Sequence, residues 1–285
     1  FLIPAPSRGE QAFIGERIIR YQLLNEQAVE LANKAKADVE AFAAEPDGTN
    51  INDGCGATNT RFLAARAGGR LGLAFDGDAD RLIAVDEDGA TANGDVIMAV
   101  IARHMKESGR LKGNVVVATV MANLGFRHAM EELGVQVVET KVGDRYVVEA
   151  MRDHKAVLGG EQSGHVILAD RAVTGDGLLT AVRLLEVIAA TGKQLRELRR
   201  ETITEYPQVL RNVHVQEPER LQSAGLLWSA VRGAEEQLGD EGRGLVRASG
   251  TEPLVRIMVE APTREGAVAI AERLVEISRR ELNPE

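Results

Sequence analysis

Cysteine is almost missing from this sequence: Cys55 stands alone in 285 residues, so no internal disulfide framework is expected and a reducing, cytoplasmic setting fits. Excess basic charge is missing too. Lysine and arginine number 34 against 43 aspartates and glutamates, for a formal net charge of -9 and a sequence pI near 5.3. Wholesale attraction to nucleic acid or to an anionic membrane is therefore not expected, and any anion site needs a local basic cluster. No apolar run reaches spanning length and no charged-then-apolar leader is visible, so neither membrane insertion nor export is expected. No repeat is short enough for a solenoid. What remains is a globular composition, 44% hydrophobic and 27% charged, long enough for two or three domains.

The stretch Leu73–Asp86 organises the rest. Apolar runs on both sides read as buried strands, and between them Asp76, Asp78 and Asp80 crowd three carboxylates into five residues. Such crowding is unfavourable without a cation, and hard oxygen donors at alternate positions suit Mg2+. A solvated acidic turn is the plain alternative. An EF-hand is rejected: Asp76, Asp78, Asp80 and Glu87 fall at its ligand positions, but Arg81 replaces the turn glycine and strand-like Leu82–Val85 replaces the helix. An aspartyl-nucleophile phosphatase fits Asp76 and Asp78 but leaves Asp80 and Arg81 unexplained.

In chain order, a helical pattern over Glu16–Phe42 precedes a glycine-punctuated loop, Asn50–Gly56. Beyond the aspartates, Glu87-Asp88-Gly89 predicts a hairpin with Leu82–Val85, and Gly94-Asp95 opens a helix through His104. Strands at Asn114–Thr119, Val135–Thr140 and Ala156–Leu158 then alternate with helices at Leu124–Leu133, Asp144–Arg152 and Gly177–Thr191. The alternation predicts an α/β layer with a mostly parallel sheet. After a linker near Glu201–Pro207, strands Val209–Val215, Gly244–Arg247 and Leu254–Glu260 with helices Arg220–Gln237 and Arg264–Glu281 predict a separate α+β unit, with Trp228 in its core. The fold class is thus multidomain α/β: mixed α/β sheet domains followed by a C-terminal α+β phosphate-binding domain.

Two more loops are polar and glycine-rich. In Gly159-Gly160-Glu161-Gln162-Ser163-Gly164-His165 the double glycine allows a tight turn, and Glu161, Ser163 and His165 at alternate positions can aim a carboxylate, a hydroxyl and an imidazole one way, which suits a polyhydroxylated ligand. Around Ser249-Gly250-Thr251, the hydroxyls, the exposed amides and the guanidinium groups of Arg247 and Arg256 suit a phosphate dianion. A lone Ser-Gly-Thr turn would be weak; two flanking arginines make it specific.

In this order the three loops resemble those of the α-D-phosphohexomutase superfamily, and Gly-Glu-Gln-Ser-Gly-His, with Gln162, is most like its bacterial phosphoglucosamine mutase branch. Ala44–Gly48, Asn50–Gly56, Thr119–Gly125, Thr140–Val147 and Thr174–Gly177 carry the same likeness. It implies a four-domain enzyme that interconverts glucosamine 6-phosphate and glucosamine 1-phosphate on the way to UDP-N-acetylglucosamine, through a phosphoserine beside Mg2+ and a sugar 1,6-bisphosphate intermediate that also serves as activator. Carried over, Asp76, Asp78 and Asp80 hold Mg2+, and Arg81 stands near the transferring phosphoryl group. Glu161, Ser163 and His165 grip sugar hydroxyls, and Arg247, Ser249, Gly250, Thr251 and Arg256 anchor the phosphate that is not reacting. The partner implied is a small phosphosugar, not nucleic acid or membrane, and a homodimer is compatible. Alternatives are a phosphomannomutase or phosphoglucomutase, and a non-catalytic phosphosugar-binding remnant.

The family's nucleophilic Ser-His-Asn loop does not occur in this sequence, and Ser7 is no substitute for it. Residues 1–48 are accordingly expected to be an incomplete N-terminal region, from truncation or from the omission of mobile loops of a longer protein. Residues 49–92 are expected to be a second-domain part with the metal loop, 93–203 a third α/β domain with the sugar loop, and 204–285 the C-terminal domain with the phosphate loop.

Overall fold

The computed structural model describes residues 71–249 and 252–283. The expected helix over Glu16–Phe42, the Cys55 loop, and Gly250 and Thr251 lie outside the described residues. The described residues divide into two units, one of residues 71–119 with Val138–Glu201, the other of Val120–Val137 with the described residues from Thr202 onward. No helix among the described residues is long and apolar enough to cross a membrane.

In the first unit, β1 (Gly72–Phe75), β2 (Leu82–Val85) and β3 (Thr91–Ala92) form an antiparallel sheet in that order. Phe75 pairs with Leu82, so Asp76–Arg81 becomes the connecting loop. Two buried strands were expected around this loop, but only β2 is buried throughout. Among the described residues β2 is central, paired on both sides, while β1 has one neighbour. The expected β2–β3 hairpin is present, and buried Asp86 shapes its turn by accepting hydrogen bonds from the Asp88 and Ala90 amides.

Helix α1 (Gly94–Glu107) follows, capped by Asn93, whose side chain accepts from the amides of Asp95 and Val96. Its first nine residues are all buried, Gly94 through Ala102, which makes it a core helix rather than a surface one. A second sheet has the order β5-β4-β6-β7, from β4 (Val115–Thr119), β5 (Gln136–Thr140), β6 (Leu158–Gly160) and β7 (Val166–Leu168). β6 runs parallel to β4, and β7 is the apolar strand expected beyond the Gly159–His165 loop, but its antiparallel pairing with β6 was not anticipated. The chain over 144–154 forms helix α3, after α2 (Leu124–Glu132), and Asp176 caps α4 (Gly177–Thr191) by accepting from Leu179.

Helix α5 (Leu195–Thr202) was also not anticipated. Only Leu195 and Leu198 of its eight residues are buried, too weak a stripe to read. Tertiary contacts form it: the Glu87 carboxylate accepts from the first amides, Leu195 and Arg196, while Arg199 pairs with Asp86 and Arg200 with Asp88.

In the second unit, β8 (Gln208–His214), β9 (Arg243–Ala248) and β10 (Leu254–Glu260) form an antiparallel sheet in the order β8-β10-β9. Val255, Ile257 and Val259 alternate along β10 into a core shared with α6 (Gly225–Leu238) and α7 (Arg264–Leu282). The expected helix Arg220–Gln237 is interrupted: a 3-10 turn, Pro218–Ser223, precedes α6, with Ala224 out of helical conformation between them. Trp228 packs against this core as expected and donates its indole N–H to the Leu221 carbonyl at 2.7 Å. The opposite face of β10 carries buried Glu260, paired with Arg243 directly across on β9 at 2.5 Å. Glu260 also accepts from Gln208, Asn123 and the first amide of α2, so its charge is fully partnered despite burial.

Candidate functional site

The loop Asp76–Arg81 presents one oxygen each from Asp76, Asp78 and Asp80 within 4.8 Å of one another. Asp76 and Asp78 are exposed and Asp80 is half-buried, so the cluster is open to solvent on one side. Three ionised carboxylates at this spacing repel, and a divalent cation that favours oxygen ligands and retains waters is the group that fits them. Arg81 lies along the same cluster, its Nε 3.6 Å from Asp76 and 3.9 Å from Asp80, with its amide donating to Asp76 at 3.2 Å. Ala79 takes a left-handed φ of 58°, which turns the chain so that the acidic side chains converge.

The sugar loop of the sequence is stitched onto this one. The Leu82 amide donates to the Gly164 carbonyl at 3.1 Å, and the Gly94 amide at the start of α1 donates to the Gln162 carbonyl at 3.0 Å. A side chain at Gly164 or Gly94 would fall on the backbone of Leu82 or Glu161, so these glycines are required by close approach. Gly159 and Gly160 play a different part from the tight turn expected of them. They lie inside β6, where a Cβ on Gly159 would press on the Met151 sulfur at 2.7 Å; the turn itself falls at Gly164, φ 95°.

Glu161 is half-buried and accepts from the Gly143 amide at 2.9 Å, while Ser163 is exposed with its hydroxyl 3.4 Å from the same carboxylate. His165 is placed differently. It is buried, its Nδ1 lies 2.9 Å from Asp80 Oδ2, and its Nε2 accepts from the Gly175 amide at 3.2 Å. The loop Gly175–Gly177 thereby joins the other two, and Gly177 closes it by donating to the Ala79 carbonyl at 2.9 Å.

In the second unit, Arg247 on β9 and Arg256 on β10 are cross-strand partners in the antiparallel register, so both guanidinium groups leave the same face. Burial and the charge of Arg256 push the Arg247 guanidinium below its ordinary value. Arg256 reaches Glu252 at 3.5 Å, and its Nε is buried with no hydrogen-bond partner among the described residues. Two facing cations and an unsatisfied donor are the electrostatics of an anion receiver. Ser249 sits at the same end of β9, held by its amide to the Leu254 carbonyl at 2.8 Å.

The alpha/beta/alpha domain III model of the phosphoglucomutase/phosphomannomutase family matches residues 93–206, and the model of that family's C-terminal domain matches residues 210–277. Together they account for more than half of the chain. A phosphoglucosamine mutase of Nocardioides sp. is 52% identical over 251 residues, 87% of this chain and 56% of the relative. One of Geobacillus thermodenitrificans is 49% identical, over 88% of this chain and 56% of the relative. Among solved structures, Aspergillus fumigatus N-acetylphosphoglucosamine mutase in complex with GlcNAc-6P and magnesium superimposes with a TM-score of 0.64 at 21% identity, covering 80% of this chain and 53% of that one. The chain belongs to the α-D-phosphohexomutase superfamily. It spans just over half the length of the bacterial relatives.

In this member of the superfamily the sequence pointed to Asp76, Asp78, Asp80 and Glu161 by residue type and spacing, but not to the Gly175–Gly177 loop as a third member of the cluster. Thr174–Gly177 carried the family likeness, but by residue type its glycines alone did not mark a close approach, since glycine serves turns as readily.

Proposed function

We propose that this chain carries the metal-, sugar- and phosphate-recognising parts of a phosphoglucosamine mutase, which interconverts glucosamine 6-phosphate and glucosamine 1-phosphate with Mg2+ and a sugar 1,6-bisphosphate. The observation that carries the reading is the cluster of Asp76, Asp78 and Asp80, whose oxygens lie within 4.8 Å and whose third member is hydrogen-bonded into the sugar loop. The choice of glucosamine phosphate is supported by the names of relatives at 49–52% identity.

Asp76, Asp78 and Asp80 would hold Mg2+, which supplies charge neutralisation at a transferring phosphoryl group. Arg81 lies on the same face of the loop and adds a fixed positive charge there. Glu161 and Ser163 meet the hydroxyls of the sugar, with the Gly143 amide fixing the Glu161 carboxylate. Arg247, Ser249 and Arg256, with Gly250 and Thr251, bind the phosphate that does not react.

Calorimetry should show saturable, Mg2+-dependent binding of glucosamine 6-phosphate to this chain, and a coupled assay primed with glucosamine 1,6-bisphosphate should show formation of the 1-phosphate when a segment bearing the nucleophilic serine is supplied. Binding without turnover even then would favour a phosphosugar-binding protein over an enzyme, and release of inorganic phosphate would favour a phosphatase. Failure to bind either glucosamine phosphate contradicts the proposal.

A further inference from the structure

We propose that His165 is a positioning residue of the cation site, holding the Asp80 carboxylate in its ligating orientation, rather than a ligand of the sugar. The inference rests on the reading of Asp76, Asp78 and Asp80 as a divalent-cation site.

The direction of each hydrogen bond decides the ring's role. A backbone amide can only donate, so the Gly175 N–H at 3.2 Å leaves Nε2 as an acceptor and places the ring proton on Nδ1. Nδ1 then donates to Asp80 Oδ2 at 2.9 Å. Both ring nitrogens are used inside the protein, and the side chain is 7% exposed, so no polar atom is left for a sugar hydroxyl or for proton exchange with a substrate.

Asp80 keeps its other oxygen, Oδ1, on the side of Arg81, 3.9 Å from Nε and free of the imidazole. The carboxylate is thus divided: one oxygen is tied to a buried ring and the other lies beside Arg81. A hydrogen-bonded outer partner of this kind fixes the torsion of a ligating carboxylate and spares the ion the cost of ordering it.

The ring itself cannot move aside. A Cβ at Gly175 would fall on the imidazole, so the loop is closed over it, and the Gly164 carbonyl next to it in sequence is bound to Leu82. The same residue therefore fastens the sugar loop to the aspartate loop through a side chain, where Leu82 and Gly164 do so through the backbone. Occupancy of the cation site and the placement of Glu161 are joined by this contact.

The test is Mn2+ titration of the whole chain, read by electron paramagnetic resonance, on wild type and three variants. His165→Asn keeps an N–H donor near the Nδ1 position; His165→Gln carries the same amide out to the Nε2 position; His165→Leu has no donor. Mn2+ affinity should fall about 10- to 100-fold in His165→Leu and His165→Gln and stay within about threefold of wild type in His165→Asn. Equal affinity in all four proteins, or an Asn variant as weak as the Leu variant, overturns the inference while leaving the cation site standing. A wild-type chain with no saturable Mn2+ binding overturns both. Should the Leu variant fail to fold, the Asn and Gln pair still separates a directed donor from a space-filling side chain.

Discussion

The loops of the first unit and the β9–β10 turn of the second solve opposite problems. Around Asp76–Arg81, three loops close on one another through backbone hydrogen bonds at contacts where Gly94, Gly164 and Gly177 leave no room for a side chain. Between β9 and β10, the two strands carry charged pairs at both ends: Arg243 with Glu260 neutralised and buried at one, and Arg247 opposite like-charged Arg256, which reaches Glu252 only at 3.5 Å, at the other. The first region is closed by its own backbone contacts. The second sets two like charges face to face, and under the proposed function an anion would relieve them.

The comparison breaks most severely at the neutralised end. Arg243→Met strands Glu260 without its charged partner, and denaturant unfolding should show a loss of about 3–5 kcal/mol. Gly164→Ala should come next, with a loss of about 3 kcal/mol, because the new Cβ meets the Leu82 carbonyl at a φ of 95°. Gly233→Ala, in an open stretch of α6, is the control and should gain about 0.5–1 kcal/mol.

Arg256→Met sharpens the contrast. Affinity for inorganic phosphate should drop about tenfold or more in calorimetry, while stability without phosphate holds or rises by about 0.5 kcal/mol as the facing charges are relieved. The smallest effect is expected from Ala79→Gly. Relief of the left-handed alanine, offset by the larger entropy of glycine in the unfolded chain, should leave the protein about 0.5 kcal/mol more stable in thermal melts.

How far the sequence could be read follows from the range of each interaction. The α7 stripe and the alternation along β10 are local patterns, and both elements stand where expected. The acidic triad was legible for the same reason. By contrast, the use of Gly159 and Gly160 inside β6, the capping of α5 by Glu87 and the aim of His165 at Asp80 depend on residues far away in the chain. His165 shows the limit best: spacing placed it beside Glu161 and Ser163, but gave no sign of its hydrogen bond to Asp80 across 85 positions. Residue type indicates what a side chain can bind, and the fold decides which partner it reaches.

The most direct test of the account is calorimetric titration of the chain with glucosamine 6-phosphate in Mg2+, repeated for Glu161→Gln and Arg256→Met. One saturable event, abolished by EDTA and weakened about tenfold by each substitution, is the predicted result. Affinity unchanged by both substitutions would contradict it.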